Sequence, residues 1–339
     1  MRGKTASPPT ANWQFEEEEL VRTNSHNHRD LAVFSGSAHL DLARAISEEM
    51  GRSLGSSHVV KFSNENLMVQ IDENVREKDV FVVQPSCPPV ADGIVELLIM
   101  IDALRHASAR RITAVLPYFP YARSDKKDRP RVSIAARLMA DLLETAGASR
   151  VLTMDLHSPQ IQGFFHIPVD QLIAAPIICD YLQQTRDLKN YVLVAGDIGE
   201  AKGVGRYAER LGLPVAIVDK RRYDDTEKPK AVHLIGSVEN KHVLIVDDEI
   251  STGRTVIEAA SFVLDRGAIS VEAAAVHGVL SGSAVENLEQ SRIKAVIVTD
   301  TVPIPEAKRR KLEVLSVASL FARAINAVHE GQSVSHLFR

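Results

Sequence analysis

Along this chain, short apolar runs of strand length alternate with longer segments whose apolar residues recur at helical spacing. Leu31 to Phe34 predicts a strand running into Ser35-Gly36-Ser37, and Ala38 to Met50 predicts a helix stopped by Gly51. Strands follow at residues 57–62, 67–71 and 80–84, then a helix from Val90 to about His106 and a strand at 112–116. An irregular basic loop occupies 117–131, Ser133 is placed to cap a helix ending at Gly147, and 151–154 is again a strand. The pattern then repeats: helix 176–182, strand 192–195, helix 202–211, strand 215–218, strand 243–246, and strands near 271–276 and 295–298. Such alternation predicts α/β domains, each a mostly parallel sheet flanked by helices. The repeat predicts two of them, 29–174 and 175–328, joined near Ala174-Ala175-Pro176.

The bulk numbers narrow the possibilities. The 339 residues, 45% hydrophobic, suffice for two real cores. Forty basic against forty-four acidic residues leave a net charge of −4, so basic work is local and a nucleic-acid partner is not expected. Cys87 and Cys179 sit in apolar surroundings, as buried free thiols of a cytoplasmic protein would. The longest apolar stretch, Ile94 to Leu104, contains Glu96 and Asp102 and reads as a core helix, so no membrane partner is expected. Residues 1–28 lack the apolar centre of a signal peptide and read as a disordered tail.

The densest chemistry lies at residues 241–257. Val243 to Val246 make a buried strand with Asp247 and Asp248 at its carboxyl end, and Ser251-Thr252-Gly253-Arg254-Thr255 opens an amphipathic helix. The first N–H groups of a helix lack internal partners and carry the positive end of its dipole, so a phosphate docks there. Two acids just upstream suit sugar hydroxyls or a hydrated metal ion, which makes a sugar phosphate the better ligand. An ordinary strand-to-helix connection with capping hydroxyls would not need those acids.

Three further clusters stand at predicted strand ends. The loop 117–131 holds three arginines and two lysines among aromatics, suited to a polyphosphate such as ATP, with Arg123 held behind a stiff Pro-Tyr-Phe-Pro-Tyr stretch. His157 and Asp197 each follow a strand and could share a Mg²⁺ ion through water. Asp219-Lys220-Arg221-Arg222 opens a polar segment through Lys230, either a charged hairpin or a flap that closes over a transferring phosphoryl group.

Val246-Asp-Asp-Glu-Ile-Ser-Thr-Gly-Arg-Thr255 resembles the motif shared by type I phosphoribosyltransferases and phosphoribosyl-pyrophosphate (PRPP) synthetases. The wider chain, from about Asp30 to Arg339, resembles the latter, the ribose-phosphate pyrophosphokinase family. Glu96-Leu-Leu-Ile-Met100, Pro120-Tyr-Ala-Arg123, Asp125-Lys-Lys-Asp128, Met154-Asp-Leu-His157, Gln160-Ile-Gln-Gly-Phe-Phe165, Leu280-Ser-Gly-Ser283 and Ser333-Val-Ser-His-Leu-Phe338 carry that likeness.

The resemblance implies two similar domains of the type I phosphoribosyltransferase kind, with 329–339 returning to the first. It implies Mg²⁺-dependent transfer of the β,γ-diphosphoryl group of ATP to the C1 hydroxyl of ribose 5-phosphate. It assigns Phe62, Asn64, Glu65, Asn66, Arg123, Ser124, Asp125 and His157 to ATP, the adenine contacts coming from a neighbouring subunit, and His157 and Asp197 to the metal. Lys220 and Arg222 become catalytic, and Arg222, Asp247, Asp248 and Ser251 to Thr255 bind ribose 5-phosphate. A homo-oligomer, a hexamer built from dimers, is implied, with phosphate and ADP as effectors near Arg76, Ser333 and Ser335.

Departures from the family pattern are Asn66 for an acid, Ser124 for Gln, and Ala195-Gly-Asp-Ile-Gly-Glu200 for Ser-Pro-Asp-X-Gly-Gly. Glu200 adds a negative charge beside the expected metal. The alternatives are a non-catalytic, PRPP-synthetase-like regulatory subunit and a phosphoribosyltransferase.

Overall fold

The computed structural model describes residues 31–197, 199–221 and 230–338, so the expected tail at 1–28 lies outside the described residues. The chain runs β1 (Leu31–Ser35), α1 (Leu40–Glu49), a hairpin of β2 (Ser57–Lys61) and β3 (Leu67–Ile71), β4 (Asp79–Val83), α2 (Val90–His106), β5 (Arg111–Leu116), α3 (Ala135–Ala146), β6 (Arg150–Met154) and β7 (Val169–Leu172). Strands β1, β4, β5, β6 and β7 pair in that order as an all-parallel sheet. The chain then continues through α4 (Ala175–Thr185), β8 (Tyr191–Ala195), α5 (Ala201–Leu211), β9 (Val215–Arg221), β10 (Lys230–Ile235), β11 (His242–Glu249), α6 (Arg254–Leu264), β12 (Ser270–His277), α7 (Ala284–Gln290), β13 (Val296–Thr299), β14 (Leu312–Leu315) and α8 (Ala318–His329). This second sheet has the order β10-β9-β8-β11-β12-β13-β14, parallel except for the β9–β10 pair.

The inner strands, such as β4 and β8, are buried along their length because both faces of each sheet are covered. Alternate side chains therefore enter different cores: Ala32 and Phe34 of β1 pack with α2 and α3, whereas Leu31 and Val33 pack with α1. The latter core is continuous with Leu193, Leu244 and Val246 of the second sheet and with α4, α5 and α8, so one body of apolar side chains joins the two sheets. The far face of the second sheet, including Val192, Val243 and Ile245, packs under α6 and α7. Polar links cross the same junction: His39 Nε2 lies 2.9 Å from the Asp300 carbonyl oxygen, and His277 Nε2 lies 3.1 Å from that of Asp155.

Two local expectations are revised. Ser133 does not cap α3; that helix begins at Ala135, whose N–H donates to Ser124 Oγ at 3.2 Å. The Ser133 carbonyl instead accepts from the Ser124 hydroxyl. The return to the first sheet also begins well before residue 329. Helix α8 packs on α1, and His329 at its end places Nδ1 2.9 Å from the buried Asp79 carboxylate, which also pairs with Arg111. Gly147, at φ 119°, ends α3 as predicted.

Candidate active site

Strand order reverses between β8 and β11: from β8 the chain proceeds to β9 on one side, and from β11 to β12 on the other. The helices after these strands, α5 and α6, lie on opposite faces, which opens a crevice beyond the carboxyl ends of β8 and β11. Asp197 and Glu200 follow β8, and Asp247, Asp248 and Glu249 end β11, so five acids border this crevice.

The loop after β11 leads into α6 through Gly253, whose φ of 73° lies in the left-handed region. No side chain caps α6, and the hydroxyls of Ser251, Thr252 and Thr255 bond no other described residue, so the donors at this helix start stay available. The Arg254 side chain turns along its own helix instead, Nε donating to Glu258 at 2.7 Å.

From the first sheet, β5 and β6 bring Arg123 and His157 to the same cleft, lined by these two with Asp197, Glu200, Asp247 to Thr255 and Val256. His157 Nδ1 lies 2.5 Å from Asp248 Oδ2. That hydrogen bond raises the pKa of His157, against a lowering by burial. Burial opposes ionisation of Asp248, but His157 outweighs it and holds Asp248 below the usual carboxylate range. Burial, then the charge of Asp248, move Asp247 above the usual carboxylate range. Burial, then Asp248 and Asp197, push Glu200 up to about 7. Just before His157, Asp155 adopts φ 35°, its carboxylate accepts from the Ala174 N–H at 2.7 Å, and burial raises it to about 6.

Among the described residues, His157, Glu200 and Asp248 each bring a donor atom within 4.8 Å of the others. One imidazole nitrogen and two carboxylates are a donor set that fits a divalent cation. Asp197 lines the same cleft, and its Oδ1 accepts from the Glu200 N–H at 3.2 Å. Glu200, which the sequence marks only as an added negative charge, lies within reach of His157 and Asp248 in this group.

The other expected residues lie apart from this cleft or outside the described residues. Phe62, Asn64, Glu65 and Asn66 form the exposed β2–β3 tip, where Glu65 takes φ 67° and the Phe62 N–H donates to the Asn66 carbonyl at 2.9 Å. Ser124 ties the basic loop to α3, and Asp125 is half-buried beside it. Lys220 lies on β9, paired with Ala231 of β10, so a hairpin arm extends the strand beyond its expected end at 218. The Lys220 side chain and Arg222 lie outside what the structure describes. Ser335 lines a separate cleft with Gln162, Asp170 and Arg206, whereas Arg76 is exposed elsewhere.

Three contacting residues escaped the sequence reading. Tyr118 donates its hydroxyl to Glu249 Oε2 at 2.8 Å, Arg123 Nη1 donates to Glu249 Oε1 at 3.2 Å, and the Tyr118 ring lies 4.8 Å from that of buried His277. Burial, then Glu249, push the Tyr118 hydroxyl well above its ordinary range and keep it a donor. The third acid of Asp-Asp-Glu was the available signal.

A helix start open to an anion, paired acids and an arginine from the facing sheet, gathered at the strand ends of an α/β fold, are the features expected of a site for phosphorylated ligands. Residues 31–147 match the N-terminal domain of ribose phosphate pyrophosphokinase, and 222–339 match a phosphoribosyl synthetase-associated domain. A ribose-phosphate pyrophosphokinase of Caldanaerobacter subterraneus subsp. tengcongensis is 48% identical over 91% of this chain and 98% of its own. Another, of Deinococcus radiodurans, is 49% identical over 91% and 98%. The crystal structure of phosphoribosylpyrophosphate synthetase from Mycobacterium smegmatis superposes with a TM-score of 0.85 at 41% identity, covering 89% of this chain and 99% of its own. The chain belongs to the ribose-phosphate pyrophosphokinase family.

Proposed function

We propose that the protein transfers the β,γ-diphosphoryl group of ATP to the C1 hydroxyl of ribose 5-phosphate, giving PRPP and AMP. One observation carries this reading: Arg123 and His157 of one sheet share a cleft with the acids and open helix start of the other. Ribose 5-phosphate sits with its phosphate on Ser251 to Thr255 and its ring hydroxyls on Asp247 and Asp248. Arg123 holds the ATP phosphates, and Lys220 and Arg222 take the role of neutralising charge on the transferring group. The C1 oxygen forms a bond to the β phosphorus as the bond to the α-phosphate oxygen breaks; AMP leaves with that oxygen, and the C1 hydroxyl proton is released to solvent. Such a displacement asks the protein for alignment and charge neutralisation more than for covalent chemistry.

Mg²⁺ held by His157, Asp197, Glu200 and Asp248 would neutralise phosphate charge as the group transfers. Phe62, Asn64, Glu65 and Asn66 then serve the adenine of a neighbouring subunit in a dimer-based hexamer, which their exposure at a hairpin tip suits. Phosphate and ADP act as effectors near Ser333 and Ser335, and the enzyme works in the cytoplasm. No helix among the described residues is long and apolar enough to cross a membrane. The non-catalytic alternative offers no reason for the two sheets to converge on one charged cleft.

The test is AMP formation from ATP and Mg²⁺ with and without ribose 5-phosphate, beside Lys220→Ala. AMP that requires the sugar phosphate and falls by about a thousandfold in the variant is expected, as when a transition-state cation is removed. Folded, ATP-binding protein that forms no AMP contradicts the reading.

A further inference from the structure

We propose that Glu249 is a positioning residue that holds the ATP-binding loop of the first sheet in register with the sugar-phosphate strand of the second. The proposal rests on the reading of Arg123 as an ATP-phosphate contact.

The two substrates are assigned to different sheets, so the reaction needs those sheets aligned at the cleft. Glu249 is the last residue of β11, directly after Asp247 and Asp248, and its side chain is 6% exposed. A carboxylate this enclosed needs donors, and both come from the loop after β5. Oε2 accepts from the Tyr118 hydroxyl at 2.8 Å and Oε1 from Arg123 Nη1 at 3.2 Å. The Tyr118 ring is in turn backed by His277, whose Nδ1 lies 2.9 Å from Thr301 Oγ1 and whose Nε2 meets the Asp155 carbonyl. His277 is also the register partner of Glu249 on β12. One carboxylate thus anchors the aromatic stem and the arginine of the basic loop to the strand carrying the sugar-binding acids. The Arg123 side chain is 65% exposed and lines the cleft.

Glu249→Gln keeps an acceptor for Tyr118 but loses the charge that orients Arg123; Tyr118→Phe keeps the ring on His277 but loses the hydroxyl. Both variants are measured in the full-length protein by steady-state kinetics in each substrate and by calorimetric binding of ATP alone. Glu249→Gln is expected to lower kcat by about 10–100-fold, because small misplacements cost that much, while ATP binding stays within about threefold. Tyr118→Phe is expected to lower kcat by about tenfold, and the double variant to fall below either single variant, since the two changes remove different hydrogen bonds of one carboxylate. Unchanged kcat in either folded variant overturns the proposal, as does ATP affinity that rises while kcat holds, which would make Glu249 a mere competitor for Arg123. If Glu249→Gln does not fold, Tyr118→Phe alone decides. Wild-type protein that forms no AMP overturns the functional reading and this one with it, whereas active wild type with unaffected variants overturns this one alone.

Discussion

Gly253→Ala probes whether the phosphate seat needs the backbone the structure gives it. Gly253 stands at φ 73° immediately before α6, and an L-residue there costs about 1–2 kcal/mol. A Cβ would also lie 3.3 Å from Leu288 Cγ and 3.6 Å from its Cδ2. Leu288 is buried in α7 and has little room to retreat, which adds about 1 kcal/mol, the low end of overpacking. The expected loss is therefore about 2–3 kcal/mol in urea unfolding at fixed protein concentration. If the loop relaxes to negative φ, the first N–H groups of α6 turn away, and calorimetry should show ribose 5-phosphate bound at least about tenfold more weakly. Gly205→Ala is the control: on α5 its Cβ meets nothing within 4 Å, so it should stabilise by about 0.5–1 kcal/mol. A neutral Gly253→Ala with unchanged sugar-phosphate affinity, beside a Gly205→Ala that behaves as expected, would refute the assignment of the left-handed cap.

Glu200→Gln should weaken Mg²⁺ binding measured by calorimetry by about tenfold, as loss of a charged ligand does. With Glu200 titrating at about 7, wild-type affinity should fall as pH drops through 7 more steeply than in the variant; parallel pH profiles exclude Glu200 from the metal. Burial lowers His39 below its usual 6.5, so the fold holds it neutral while the unfolded chain takes up a proton. Wild type should therefore lose stability relative to His39→Gln as pH falls below about 6.5. The difference between the two is the observable, because Asp155 and Glu200, both raised, favour the fold on acidification. Arg111→Ala leaves buried Asp79 with His329 alone and should cost about 3 kcal/mol, with faster hydrogen exchange in α8; intact protection there would free α8 from this anchor.

The part of the site legible in the sequence is the part that is contiguous in it. Strand β11, its two acids and the following hydroxyl- and glycine-containing turn announce themselves because apolar run, acids and helix start occur in order. Strands β7, β10 and β14 were not expected, since Val169–Leu172, Lys230–Ile235 and Leu312–Leu315 lie toward sheet edges and mix polar with apolar residues. The start of α3 was misjudged because Ser124, nine residues before Ser133, supplies the hydroxyl that meets it. Glu249 and Tyr118 are separated by 131 positions, and nothing in either neighbourhood marks the other. Contacts across the junction of two sheets are set by how their shared core packs, which periodicity along one strand does not encode.

The central claim is that both outer phosphoryl groups of ATP move together to ribose 5-phosphate. The most direct measurement is phosphorus NMR of wild-type protein with ATP, Mg²⁺ and ribose 5-phosphate, following AMP, ADP and the sugar product together. The account predicts AMP and a C1 diphosphate ester rising in equal amounts, without ADP. ADP with a sugar bisphosphate bearing a single phosphate at C1, or AMP with free diphosphate and unchanged sugar phosphate, would contradict it.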